Sequence, residues 1–186
     1  KKVKSIKDIH RNYKIEFIRT LVLLEKYDDA IKFSKSIWLE EDFLFEADLL
    51  LGLNSLIEED YQVAKKHFLR IKDNLSPNLL FEEFLGNILL AWNEAAQKNT
   101  VESLVFFNKI PNRYLNLKNI QNCFFQCYFD TKDTKLHFEN LVEMEGAGYS
   151  RYYFFFANYL ISKNNIEEAK KIIISSRKEN TSNILL

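Results

Sequence analysis

Glycine and proline are scarce, with 4 Gly and 2 Pro in 186 residues. A fold of many short strands would need far more turn residues, so a sheet-rich architecture is excluded and an all-α one is expected. Net charge is also lacking, because 26 Lys and Arg balance 26 Asp and Glu. Phosphate-binding surfaces usually show as a basic excess, which removes nucleic acid from the expected partners. There is no long apolar run. The strongest, Tyr152 to Ile161, is about half the roughly 20 residues that a membrane-spanning helix requires, so no span is expected. Two cysteines cannot make a disulfide framework, which favours a reducing compartment such as the cytoplasm. The chain opens on Lys1 rather than Met and stops at Asn-Ile-Leu-Leu, leaving room for a signal segment or further repeats beyond either end.

Sequence signatures of chemistry are missing too. No GxGxxG, GxxxxGK[ST], GxSxG or HExxH occurs. Cys123 and Cys127 stand four apart, a spacing that two metal ligands on one helical face could use, but zinc needs two more ligands. Only His10, His67 and His137 exist, and none forms a paired motif. The cysteines are therefore expected to be small apolar core residues, with no metal and no cofactor. Acidic pairs such as Glu40-Glu41, Glu58-Glu59, Glu82-Glu83 and Glu167-Glu168 lie near expected helix starts or turns. Carboxylates there complement helix dipoles or stay solvated, and no histidine or nucleophile accompanies them at a catalytic spacing. No catalytic residue is expected.

What the chain does have is apolar mass, 47% hydrophobic and 15% aromatic, ample for a single folded unit over 1–186. It also has a repeat. Glu25-Lys26-Tyr27-Asp28-Asp29-Ala30 aligns with Glu59-Asp60-Tyr61-Gln62-Val63-Ala64, so that Tyr27 and Tyr61, and Ala30 and Ala64, are each 34 residues apart. Fainter copies follow. Leu90-Ala91 precedes Ser103, Phe107 and Ile110, and Phe156-Ala157 precedes an Asn164-Asn165 turn, Ile166, Ala169 and Ile173. Ser103 and Ala169 are 66 residues apart, close to two periods, so a degenerate copy is expected over 114–144. Within each copy the apolar spacing is helical. Tyr61, Ala64, Phe68 and Ile71 make one stripe, while Gln62, Lys65, Lys66 and Arg70 face water. Five helical hairpins are read, at 12–40, 43–72, 78–110, 114–144 and 150–177.

This period, with an aromatic three residues before a buried alanine, resembles the tetratricopeptide repeat. The second copy matches best, with Leu51-Gly52 in its first helix, Tyr61 at the turn, Ala64, Phe68 and Ile71 in its second, then Pro77. The other copies lack the glycine, the first has Lys14 at a position the family keeps bulky and apolar, and the third is stretched by five residues around 74–77. The resemblance implies a right-handed solenoid of helical hairpins whose first helices line a concave groove that holds a partner protein or peptide. Carried over by register, it places Ile15, Arg19, Leu49, Leu53, Ile88, Trp92, Asn122, Gln126, Arg151, Phe154 and Asn158 on or near that groove. Leu49, Leu53 and Ile88 have core packing as their competing reading. The set of Lys, Asn and Arg with which some members of the family grip a carboxylate terminus is absent, since Arg19 and Arg151 are the groove cations and they stand far apart in the array. Two other functions are weighed: a scaffold domain of a larger enzyme, and a helical-repeat RNA binder, which zero net charge and the 34-residue offset disfavour. The aromatic runs Phe106-Phe107, Phe124-Phe125 and 152–156 are expected to pack between repeats, with some rings escaping burial.

Overall fold

The structure, a computed structural model, describes residues 11–38, 43–74, 80–143 and 150–179, apart from the side chains of 80–83, 150–151 and 177–179. All regular structure among these residues is helical: α1 Arg11–Leu23, α2 Tyr27–Trp38, α3 Phe45–Ile57, α4 Tyr61–Asp73, α5 Leu80–Ala96, α6 Thr100–Asn108, α7 Leu115–Tyr128, α8 Thr134–Glu143, α9 Ser150–Ser162 and α10 Ile166–Glu179, with a short 3-10 turn at Asn112–Tyr114 before α7. The helices pack in neighbouring pairs. By its internal contacts the chain divides into two compact units, Lys1–Pro111 and Asn112–Leu186.

Each pair is joined by the same turn, built without glycine. Glu25, Glu59, Lys98, Asp130 and Asn164 hold positive φ values of 57, 61, 65, 50 and 63°. After each, the next residue donates its N–H to the carbonyl five positions back: Lys26 to Leu21 at 2.9 Å, Asp60 to Ser55 at 2.8 Å, Asn99 to Glu94 at 3.0 Å, Thr131 to Gln126 at 3.1 Å and Asn165 to Leu160 at 2.8 Å. This bond satisfies an orphan carbonyl at the end of the first helix and reverses the chain at once. The left-handed residues at 25 and 59, and at 130 and 164, are 34 residues apart. The stretch between 59 and 98 holds five more, and residues 75–79 within it lie outside the described residues.

Past each turn, the second helix buries residues at i, i+4 and i+7. Ala30, Ser34 and Ile37 do so in α2, Ala64, Phe68 and Ile71 in α4, Ser103, Phe107 and Ile110 in and just after α6, and Thr134, Phe138 and Leu141 in α8. In α10, among the described side chains, Ala169 and Ser176 are buried, with Ile173 between them half-buried. The leading residue is small because the first helix crosses there. Ser103 donates to the Ala91 carbonyl at 2.5 Å, and Thr134 to the Gln126 carbonyl at 2.9 Å. In the first unit, Lys65 on α4 meets the buried Glu94 on α5 at 2.7 Å. Burial would raise the Glu94 pKa, but hydrogen bonds from Lys65 and Asn99 outweigh it and hold the carboxyl below its ordinary range.

Two glycines mark the closest approaches. A Cβ on Gly52 would run into the Phe68 ring, with Cδ1 at 2.8 Å and His67 Cβ at 3.2 Å. Gly86 on α5, which the repeat pattern did not single out, is tighter against backbone, since a Cβ there would lie 2.8 Å from Lys72 Cβ and 2.9 Å from Lys72 Cα. A helical Gly→Ala change ordinarily stabilises by about 1 kcal/mol. Gly86→Ala should instead destabilise by about 1–3 kcal/mol, because α4 has to shift to admit the methyl. A urea titration checks the sign, and a raised midpoint would show that α4 and α5 are not in this contact.

Candidate functional site

The first helices of the hairpins place one residue ten, and another six, positions before each left-handed turn residue. In the first unit these are Ile15 and Arg19 on α1, Leu49 and Leu53 on α3, and Ile88 and Trp92 on α5. Positions four apart share a helical face, so each pair makes one stripe. Between α1 and α3 the stripes border an open cavity of about 440 Å³, lined by Ile18, Arg19, Val22, Leu23, Glu46, Leu49, Leu50 and Leu53. The lining is aliphatic except for Arg19 and Glu46. Arg19 Nη2 lies 2.7 Å from Glu46 Oε1, and Nη1 lies 3.2 Å from Glu16 Oε1. Two carboxylates already neutralise the guanidinium, so Arg19 bridges α1 to α3 and is not an unpaired cation waiting for an anion.

The rim of the cavity is apolar and wet. Leu23 is 82% exposed and Leu53 is itself exposed; Ile57, one turn beyond Leu53 on α3 and outside the lining, is 81% exposed. Leu49 and Leu53 line the cavity, whereas Ile88 is buried and Ile15 packs against the cluster of Ile18, Ile37, Leu44 and Ala47. Trp92 is half-buried.

In the second unit the equivalent positions are Ile120 and Phe124 on α7, and Phe154 and Asn158 on α9. The structure thus departs from the expected register for Asn122 and Gln126, which stand two residues out of step and face α8. Asn122 Nδ2 is 3.4 Å from His137 Nδ1, and Gln126 Oε1 accepts from the Thr131 hydroxyl at 2.6 Å. Asn122 lines a polar cavity of about 300 Å³ with Asn119, His137, Asn140 and Leu141. These amides belong to the inside of their hairpin and to its turn. Phe124, which sequence reasoning counted as packing, takes the position instead. It is half-buried, with its ring 5.3 Å from Phe155 in an edge-on contact and 6.0 Å from Tyr152. Phe154 and Phe155 are exposed, and Asn158 donates to the Phe154 carbonyl of its own helix at 2.9 Å. The Arg151 side chain lies outside the described residues.

The cysteines are placed for packing. Cys123 is fully buried among Ile120, Phe138, Leu141 and Phe156, and burial followed by neighbouring Cys127 pushes its thiol up to about 12. Cys127 is half-buried and also raised, by burial and then Asp130, against the opposing effect of Lys163. Raised thiol pKa values suppress the thiolate that a nucleophile or a metal ligand requires. Among the described residues no group of three or more His, Cys, Asp or Glu is disposed to hold a metal ion.

No family model, curated protein or solved structure matches the chain. No described helix is long and apolar enough to cross a membrane. What the site can do therefore follows from its own chemistry. An aliphatic cavity with exposed leucines in its lining gains free energy when apolar groups displace water from it, at about 25 cal/mol per Å² of surface covered.

Proposed function

We propose that the chain is a tetratricopeptide-like, right-handed solenoid that binds a partner protein or peptide and catalyses nothing itself. The observation that carries this reading is the α1–α3 cavity, whose aliphatic lining and exposed rim fit the side chains of another polypeptide. The repeated glycine-free turn, and the small residues Gly52, Ala91 and Ala157 each seven positions before its turn residue in three of the hairpins, support the solenoid. The aliphatic and aromatic character of the first-helix stripes, with Arg19 already paired, favours protein over nucleic acid as the ligand.

Selection of displayed random peptides on the purified protein tests the reading. Sequences with spaced large apolar side chains should be enriched. Leu53→Asp puts a charge at the cavity edge on an exposed site, so helicity should be unchanged while the selected peptides lose at least about tenfold in affinity, or about 1.4 kcal/mol. Failure to enrich any peptide, or peptides that bind the variant equally well, would remove the cavity as the site.

A further inference from the structure

The acidic side chains at the turns after α1 and α3 divide into two kinds. Asp28 and Asp29 occupy the first turn of α2, and Asp60 caps α4 by accepting from the Val63 N–H at 3.3 Å. Negative charge at helix N-termini stabilises the helices, so the fold accounts for these three. Glu25, Glu58 and Glu59 are the opposite case. They follow the C-terminal ends of α1 and α3, where the helix dipole disfavours a carboxylate. All three are exposed, and none forms an ion pair among the described residues. Lys26 is the one cation within 25–29 and 58–60. Helix stability therefore does not explain these glutamates, which follow the cavity-lining Leu23 and Leu53 past the C-terminal ends of α1 and α3.

Building on the reading of the cavity as a peptide site, we infer that its occupant is a basic amphipathic helix of a partner protein, with aliphatic side chains seated between α1 and α3 and Lys or Arg side chains over Glu25, Glu58 and Glu59. Apolar burial supplies affinity in this arrangement, and the glutamates select the sign of the flanking charge and speed encounter. Screening by salt then weakens the selection without removing the apolar component.

Two synthetic peptides of about 18 residues, five helical turns, separate the components. Both carry leucine at the same i, i+3, i+4 and i+7 positions, one with lysine and the other with glutamate on the polar face. In fluorescence-anisotropy titrations at low salt the lysine peptide should bind about tenfold or more tighter, and the gap should close at about 0.5 M salt, where the Debye length falls to a few ångströms. Glu58→Lys with Glu59→Lys should cut lysine-peptide affinity about fivefold or more and improve the glutamate peptide. The protein should stay folded, since Lys98 holds the same left-handed position in the third hairpin. Equal binding of both peptides, or no response to the double charge reversal, overturns the basic preference. If those equal affinities still collapse in Leu53→Asp, the cavity remains a peptide site and only the charge selection is lost. Binding of neither peptide, or binding indifferent to Leu53, overturns both readings.

Discussion

Asp48→Ala should destabilise the first unit by about 3–5 kcal/mol, the range expected when one partner of a buried polar pair is removed. Asp48 is 1% exposed in the middle of the second hairpin. Its Oδ1 lies 2.8 Å from His67 Nδ1, also buried, and 3.4 Å from Arg70 Nε. On the outer side Trp38 covers the pair, with its ring centroid 5.5 Å from that of His67, and Lys66 Nζ stands 4.5 Å over the indole. Alanine leaves the imidazole without its acceptor in a place water does not reach, so the cost is desolvation together with the lost bond. Asp48→Asn keeps an acceptor oxygen and should recover much of the loss. Replacing both members with apolar residues, Asp48→Leu with His67→Phe, should be milder than Asp48→Ala alone, because no polar group is then stranded. Urea melts of the four proteins check the order. An Asp48→Ala midpoint equal to that of the parent would mean that the pair is solvated.

This pair also shows where the sequence stops being readable. Asp48 and His67 lie 19 residues apart and belong to no motif, so only the packed hairpin brings them together. Helicity and pairing were legible because both come from local signals, the scarcity of Gly and Pro and the three-and-four spacing of apolar residues. The small crossing residues were legible for the same reason at Gly52 and Ala64, where type and interval coincide. Gly86 was not. Its partner is the backbone of Lys72, and backbone proximity leaves no mark on the identity of the partner residue. The hairpin turns were located without their common geometry being seen, because glutamate, lysine, aspartate and asparagine occupy the left-handed position where glycine would have announced it.

The register of α7 failed for a related reason. No Gly or Ala marks its crossing, which is made by Cys123, so the amides of Asn122 and Gln126 looked like polar groove residues. Counting back from Asp130 gives Ile120 and Phe124 instead. In α1 and α3, by contrast, Arg19, Leu49 and Leu53 line one cavity. What the sequence could not supply there was the ion pair to Glu46, which changes Arg19 from a groove cation into a bridge.

The second large effect separates structural aromatics from available ones in the second unit. Phe138 on α8 is 1% exposed and lies flat against Phe156 on α9, with centroids 5.3 Å apart and planes within 8°, while Tyr159 approaches from 5.4 Å. Phe138→Ala should therefore cost about 3–5 kcal/mol, the lost transfer free energy plus the cavity left among rings that cannot collapse into it. Phe154, on the same unit and of the same residue type, is 43% exposed. Phe154→Ala should cost about 1 kcal/mol or less, as surface changes do. Both tryptophans, Trp38 and Trp92, lie in the first unit. The comparison consequently needs far-UV circular dichroism or amide exchange in α8 and α9, not tryptophan emission. If the exposed rings of Phe154 and Phe155 serve a partner, Phe154→Ala should weaken a peptide that engages this face by more than about 1 kcal/mol while the helices keep their stability. A Phe154→Ala protein as unstable as Phe138→Ala would instead make that ring part of the core and leave the α1–α3 cavity as the binding surface.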